Sequence, residues 1–268
     1  MAKTRLDLLL VERGLVESRA KAQALIMAGQ VRVEGQVVIK PAAPVDLAAH
    51  LDVEQGPRFV SRGGEKLEKA IESFELDITG LACADVGAST GGFTDCLLQH
   101  GAAKVYALDV GKGILHWKLR NDPRVIVMER TNARFVKALP ETVSLITIDA
   151  SFISLKILLR TVKNWLAPLP EKEGGMIALI KPQFEAGRQD VARGDGVIRD
   201  PQIHRQVLVD VLSFAQDENL GLQGLIRSPL LGPKGNAEFL AWLTPSTLSI
   251  NRDHAIQNVL DKGPEDRP

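Results

Sequence analysis

Only two cysteines, Cys83 and Cys96, occur in this 268-residue chain, too few for a disulfide framework and unsuited to a zinc site. They read as small buried hydrophobes. Neither sign of charge is in excess, with 33 Lys and Arg against 33 Asp and Glu, so no global field announces a polyanionic partner. A local basic patch is still enough for RNA. No apolar run approaches the ~18 residues that a membrane-spanning helix needs, which removes the basis for a pore-forming role. The opening stretch 1-MAKTRLDLLLVERG-14 interrupts its leucines with Asp7 and Glu12, so it lacks the apolar core of a signal peptide. A cytoplasmic protein is expected.

What is present is ordinary globular composition, 45% hydrophobic and 25% charged, in two parts. In the first part, 5-RLDLLLVERG-14 suits a short amphipathic helix ended by Gly14, and Ser18 is placed to cap a second, 19-RAKAQALIMA-28, closed by Gly29. The alternating 31-VRVEGQVVIK-40 predicts a hairpin turning at Glu34-Gly35. Residues 1–41 carry seven cations (Lys3, Arg5, Arg13, Arg19, Lys21, Arg32, Lys40) against four anions (Asp7, Glu12, Glu17, Glu34), a net charge of +3. The run from Arg5 to Gly35 resembles the S4 RNA-binding domain. That resemblance implies RNA contacts at Arg5, Arg19, Lys21 and Arg32; Glu34 stands where the family often has asparagine. Boundaries are expected at 1–60 for this domain, with a linker near 55–62, at 61–246 for a larger one, and at 247–268 for a tail that either adds a helix or stays disordered.

The larger part opens its chemistry at 81-LACADVGASTGGFTDCLLQHG-101, which reads strand, glycine-rich turn, helix, followed by the strand 104-KVYALDV-110. This is a βαβ unit whose first turn lies at the mouth of a parallel sheet. Gly87, Gly91 and Gly92 allow close approach of the backbone to a ligand, with Ala88 and Ser89 between them. Asp109, 22 residues past Gly87, sits where an acid hydrogen-bonds a ribose diol. The spacing D-x-G-x-x-x-G-G fits a pyrophosphate cradle poorly. Asp85 just before the turn would repel a pyrophosphate but hold an ammonium, which favours S-adenosylmethionine over NAD. Asp85 and Ser89 also read as caps of the next helix. Asn132, after the strand-like 124-RVIVME-129, reads either as an adenine contact or as a turn residue.

Two further apolar runs stop on charges: 143-VSLITIDASFISL-155 at Asp149 and 176-MIALIKPQFE-185 at Lys181. Ligands in open α/β sheets bind at the carboxyl ends of strands, so both residues are expected at one cleft. Pro182 restricts Lys181 to extended conformations. Lys66 opens a helix after Arg62-Gly63-Gly64, and Glu238 lies in 232-GPKGNAEFLAWL-243, before a strand or a helix. Taken singly, each of the four also reads as a helix cap or a surface charge. The long polar loop 183–206 holds Arg188 among arginines able to grip phosphates, and reads equally as a solvated surface loop; Trp117 in 116-HWKLR-120 reads as stacking or core.

The order Lys66, Asp149, Lys181, Glu238 resembles the K-D-K-E tetrad of FtsJ-type ribose 2′-O-methyltransferases. With SRGGEKL, DVGASTGGFTD, LHWKLR, IDASFISL, IKPQFEAGR and GNAEFL, the chain resembles the TlyA family over roughly residues 3–245. The resemblance implies a Rossmann-like class I methyltransferase α/β domain with a mostly parallel seven-stranded sheet, preceded by a small α+β S4 domain. It further implies methyl transfer from S-adenosyl-L-methionine to cytidine 2′-hydroxyls of ribosomal RNA, in the small or large subunit. Some members are called haemolysins, for which no apolar span here gives physical support.

A ribose hydroxyl is a poor nucleophile near neutral pH, and two neighbouring lysines raise the cost of keeping both protonated. Lys181 is therefore the expected base. Asp149 and Glu238 are expected to orient the lysines, and Lys66 to favour developing negative charge. Arg62 and Arg188 join the expected RNA contacts, and no metal is required.

Overall fold

The computed structural model describes residues 3–54, 56–168, 174–187, 191 and 194–261. The chain divides into two compact units, Met1–Arg58 and Phe59–Pro268. The first runs β1 (Lys3–Arg5), α1 (Leu6–Glu12), α2 (Arg19–Met27), β2 (Val31–Val33), β3 (Gln36–Val37), β4 (Pro44–Asp46) and β5 (Leu51–Val53). The Ser18 hydroxyl accepts the Lys21 N–H and so starts α2. β2 and β3 pair with Val33 opposite Gln36. Glu34 and Gly35 between them both take positive φ, 50° and 77°, as a two-residue turn matched to strand twist requires. β5 pairs with the other edge of β2, and β1 pairs with β4. Leu6, Leu9, Leu10, Leu25, Ile26 and Val31 form the small aliphatic core.

The second unit contains α3 (Gly63–Ser73), β6 (Ala82–Val86), α4 (Gly92–Gln99), β7 (Lys104–Leu108), α5 (Trp117–Arg120), β8 (Val125–Met128), β9 (Leu145–Ile148) and α6 (Leu155–Val162). It continues with β10 (Gly175–Ile180), α7 (Pro182–Glu185), α8 (Pro201–Asp217), β11 (Leu220–Arg227), β12 (Phe239–Pro245) and α9 (Arg252–Asp261). One seven-stranded sheet takes the order β11-β12-β10-β9-β6-β7-β8. β8, β7, β6, β9 and β10 are parallel, and β12 runs antiparallel to both β10 and β11. From β6 the chain steps outward through β7 and β8, then returns to the far side of β6 as β9. That reversal is the topological switch point where doubly wound sheets bind ligands.

Apolar runs become the central strands: all six residues of β10 and all four of β9 are buried, as parallel strands covered on both faces must be. α3 buries Leu67, Ala70 and Ile71 against one side of the sheet. Each fully buried leucine or isoleucine contributes about 1.5–3 kcal/mol. The segment expected as a tail supplies α9, whose Ala255, Ile256 and Val259 join the core on the other face. Among the described residues no helix is long and apolar enough to cross a membrane.

Candidate active site

Sheet register brings three of the four expected catalytic residues to one end. Asp149 immediately follows β9 and Lys181 immediately follows β10, its parallel neighbour. Glu238 immediately precedes β12, and the pairing of Ile180 with Phe239 sets Lys181 and Glu238 at adjacent chain positions. Lys66 arrives from the first turn of α3. The segment before it is held by Asp95, whose carboxylate accepts the Val60 N–H at 2.9 Å. All four residues line a single cavity of about 640 Å³, with Arg62, Gln183, Phe184 and Lys234 also on its wall.

Within it the charges form two ion pairs of equal length. Lys66 Nζ lies 2.6 Å from Glu238 Oε2, and Lys181 Nζ lies 2.6 Å from Asp149 Oδ1. Lys181 Nζ also donates to Ser151 Oγ at 2.9 Å, and the Phe184 ring centroid is 5.9 Å away. The repulsion between two lysines that the sequence suggested is thus offset, because each lysine has its own carboxylate. Glu238 Oε1 is buried with no partner, an uncompensated acceptor in the wall of a ligand-sized space.

A second cavity of about 670 Å³ opens at the ends of β6, β7 and β9, lined by Asp109, Asn132, Val86, Leu108, Val110 and Ile157 among others. Gly87, Ser89, Asp149, Ser151 and Phe152 line both spaces, so the two are contiguous. Asp109 Oδ2 accepts the Ser89 N–H and Oδ1 accepts the Gly111 N–H, each at 2.7 Å. One protein donor per oxygen leaves acceptor capacity for a diol. Asn132 Oδ1 accepts the Arg134 N–H, and its side-chain NH2 has no partner among the described residues. An apolar wall, an anchored carboxylate and a free amide donor fit an adenosyl group. Among the described residues no group of three or more His, Cys, Asp or Glu could hold a metal ion.

Other expected site residues are placed differently. Asp85 is fully buried and lines neither cavity; its two oxygens accept the hydroxyls of Thr94 at 2.7 Å and Thr147 at 3.0 Å. Burial pushes its carboxyl up to about 7. It does not present a carboxylate to an ammonium group, and it does not cap α4, whose N-cap is Gly91. Gly87 is needed for a protein contact: its φ is +86°, and a Cβ there would lie 2.6 Å from the Asp149 carbonyl oxygen. Likewise a Cβ on Gly91 would meet Leu119 at 2.2 Å, and one on Gly92 would meet Ser61 Oγ at 2.3 Å. These glycines pack the turn against its neighbours, and Ala88 beside them is buried.

In the first unit, Arg5 and Arg19 both bind the buried Asp7, at 2.9 and 3.0 Å, and Gln23 adds a third bond. Foremost the Arg5 hydrogen bond holds the Asp7 carboxyl well below the usual carboxylate range. Lys21 and Arg32 are exposed. Arg62 is exposed at the catalytic cavity, and Arg188 lies outside the described residues. Sequence reasoning missed Ser151, Phe152 and Phe184. Phe152 is 91% exposed with φ +62°, and its ring is 5.0 Å from that of Phe184. The two-residue spacing of Ser151 from Asp149 was the available signal.

A family model described as FtsJ-like methyltransferase matches residues 59–244, and one described as S4 domain matches residues 4–50. The 16S/23S rRNA (cytidine-2′-O)-methyltransferase TlyA of Mycobacterium tuberculosis is 44% identical over 270 residues, covering 98% of this chain and 99% of that protein. Hemolysin A of Brachyspira hyodysenteriae is 44% identical over 244 residues, 88% of this chain and 98% of that one. A solved structure from Streptococcus thermophilus, provisionally named a hemolysin, aligns with a TM-score of 0.72 at 42% identity, over 97% of this chain and 95% of that chain.

Proposed function

The chain belongs to the TlyA family of FtsJ-like methyltransferases, and from that premise we propose that it methylates cytidine ribose 2′-hydroxyls of small- or large-subunit ribosomal RNA. Its sheet is the Rossmann-like class I methyltransferase arrangement, mostly parallel with one reversed strand. The observation that carries the reading is the pair of lysine–carboxylate bridges in one cavity, joined through Asp149, Ser151 and Phe152 to a nucleoside-fitting space.

S-adenosyl-L-methionine, when bound, supplies an electrophilic sulfonium methyl group. Asp109 would hold its ribose, Asn132 its adenine edge, and the turn Gly87, Ala88 and Ser89 would border it. Lys181, as the neutral amine, takes the proton of the ribose 2′-hydroxyl, and Asp149 stabilises the ammonium that results. Lys66, fixed by Glu238, sets a positive charge beside the oxygen as it gains alkoxide character. The S4 unit supplies Arg5, Arg19, Lys21 and Arg32 for phosphates, and Arg62 borders the catalytic cavity. Ribosomal RNA as substrate sets this work in the cytoplasm.

The test is a map of 2′-O-methyls on ribosomal RNA from cells with and without the protein. The expected result is the loss of one or more cytidine 2′-O-methyls. An unchanged map, or losses confined to base methyls, overturns the reading.

A further inference from the structure

Besides Asp149, Lys181 Nζ has a hydrogen-bond partner with no part in the proton transfer. Ser151 Oγ accepts from it at 2.9 Å, while Asp149 Oδ1 holds it at 2.6 Å. A neutral amine nitrogen is tetrahedral, with one corner for Cε, two for N–H donors and one for the lone pair. Asp149 and Ser151 are two acceptors, one for each N–H. With both donors engaged, the lone pair has a single direction left. With only one engaged, the group rotates about its Cε–Nζ bond and the lone pair sweeps over several directions.

The segment carrying Ser151 is built to keep that hydroxyl still. On its N-terminal side the Asp149 N–H donates to the Val86 carbonyl at 2.9 Å. Gly87 admits the Asp149 carbonyl closer than any side chain would allow. On its C-terminal side Phe152, in a left-handed conformation, sets its ring 5.0 Å from Phe184. Beyond that, Ser154 Oγ and the Leu155 N–H both donate to Glu185, at 2.8 and 2.6 Å. Residues 151, 152 and 154–155 are thus fastened in turn to residues 181, 184 and 185. A non-glycine residue at positive φ is uncommon and persists where surrounding contacts impose it. Ser151 also lines both cavities.

We propose that Ser151 is a positioning residue that aims the lone pair of Lys181 at the substrate hydroxyl. This rests on the assignment of Lys181 as the base. The proton passes from the 2′-oxygen to Nζ, and Ser151 exchanges none: its oxygen accepts the same N–H before and after.

The experiment compares Ser151→Ala, Ser151→Thr and Lys181→Ala with the wild-type full chain, using ribosomal RNA and S-adenosylmethionine. Methyl transfer gives kcat and KM, and calorimetry gives cofactor affinity. Ser151→Ala should lower kcat about tenfold, the scale of one directed hydrogen bond, with both KM values and cofactor affinity within twofold. Ser151→Thr, which restores the hydroxyl, should recover most of that loss. The proposal is overturned if Ser151→Ala keeps wild-type kcat, if Thr is as slow as Ala, or if the loss falls on KM or cofactor affinity. Wild-type activity in Lys181→Ala overturns the base assignment and Ser151 with it. A collapse in Lys181→Ala beside an unaffected Ser151→Ala overturns the Ser151 proposal alone.

Discussion

Two lysine–carboxylate pairs of the same length share one cavity, and their surroundings differ. The two lysines are alike in exposure, 11% for Lys66 and 9% for Lys181, but the carboxylates differ: Glu238 is 0% exposed, whereas Asp149 is 23% exposed and stands on the wall of both cavities. Buried ion pairs seldom add net stability, because desolvation consumes most of the attraction. Two of them at adjacent strand ends are therefore better explained by chemistry than by folding. In the first pair the buried carboxylate holds its lysine on the cavity wall, which suits a fixed charge. The open pair can meet a substrate, which suits proton transfer.

The largest effect should separate the pairs by activity. Lys181→Ala is expected to cut methyl transfer at least ~100-fold, the low end for a positioned base, while calorimetry shows cofactor affinity within a few-fold of wild type. Retention of a tenth or more of the activity would mean that Lys181 is not the base.

Stability should separate them in the opposite sense. Lys66→Ala leaves the buried Glu238 carboxylate without its cation, a loss of about 3–5 kcal/mol by denaturant unfolding. Lys181→Ala should cost clearly less, since Asp149 reaches solvent. The double variant Lys66→Met, Glu238→Gln should regain much of the stability and none of the activity. Equal losses in the two single variants would mean that the pairs are not functionally distinct.

Another buried carboxylate, Asp85, sharpens the contrast, because two hydroxyls hold it. Its carboxyl is raised by burial from 3.8 to about 7. Between those values the unfolded chain has ionised while the folded chain still holds the proton. The folded state binds more protons there, so stability falls as pH rises, by up to about 1.4 kcal/mol per pH unit. Asp85→Asn should flatten that part of the stability–pH curve and be more stable than wild type above pH 7. A slope unchanged by the substitution would show that Asp85 is ionised in the folded protein.

The residue types at the strand mouths were legible because strands are periodic and ligands gather at their ends. Asp149, Lys181 and Asp109 follow from that logic alone, and the Glu34-Gly35 hairpin follows from turn chemistry. Asp85 was misread because its position before the turn says nothing about Thr94 and Thr147, which close over it from α4 and β9. Gly91 and Gly92 announced close approach, but the approaching atoms belong to Leu119 and Ser61. The sequence expected the two acids to orient the lysines but not which acid holds which lysine, because Lys66 and Glu238 are joined only by tertiary structure. The left-handed backbone at Phe152 has no sequence signal, since phenylalanine rarely adopts it.

The smallest effect belongs to the first unit, where the buried acid faces exposed cations. Asp7 is 0% exposed, while the side chains of Arg5 and Arg19 are 43% and 53% exposed. With three side chains bonded to it, the acid fixes where two guanidinium groups stand. Arg19→Gln leaves Asp7 with Arg5 and Gln23, and the denaturation midpoint should barely move. RNA binding should weaken a few-fold at moderate salt, and the slope of log affinity against log salt should shrink by about one. That slope separates the two roles: a structural arginine leaves it at the wild-type value, whereas a phosphate contact reduces it. A wild-type slope in Arg19→Gln would move Arg19 from the RNA surface to the scaffold, and Lys21, exposed on the same helix, would be the next cation to test.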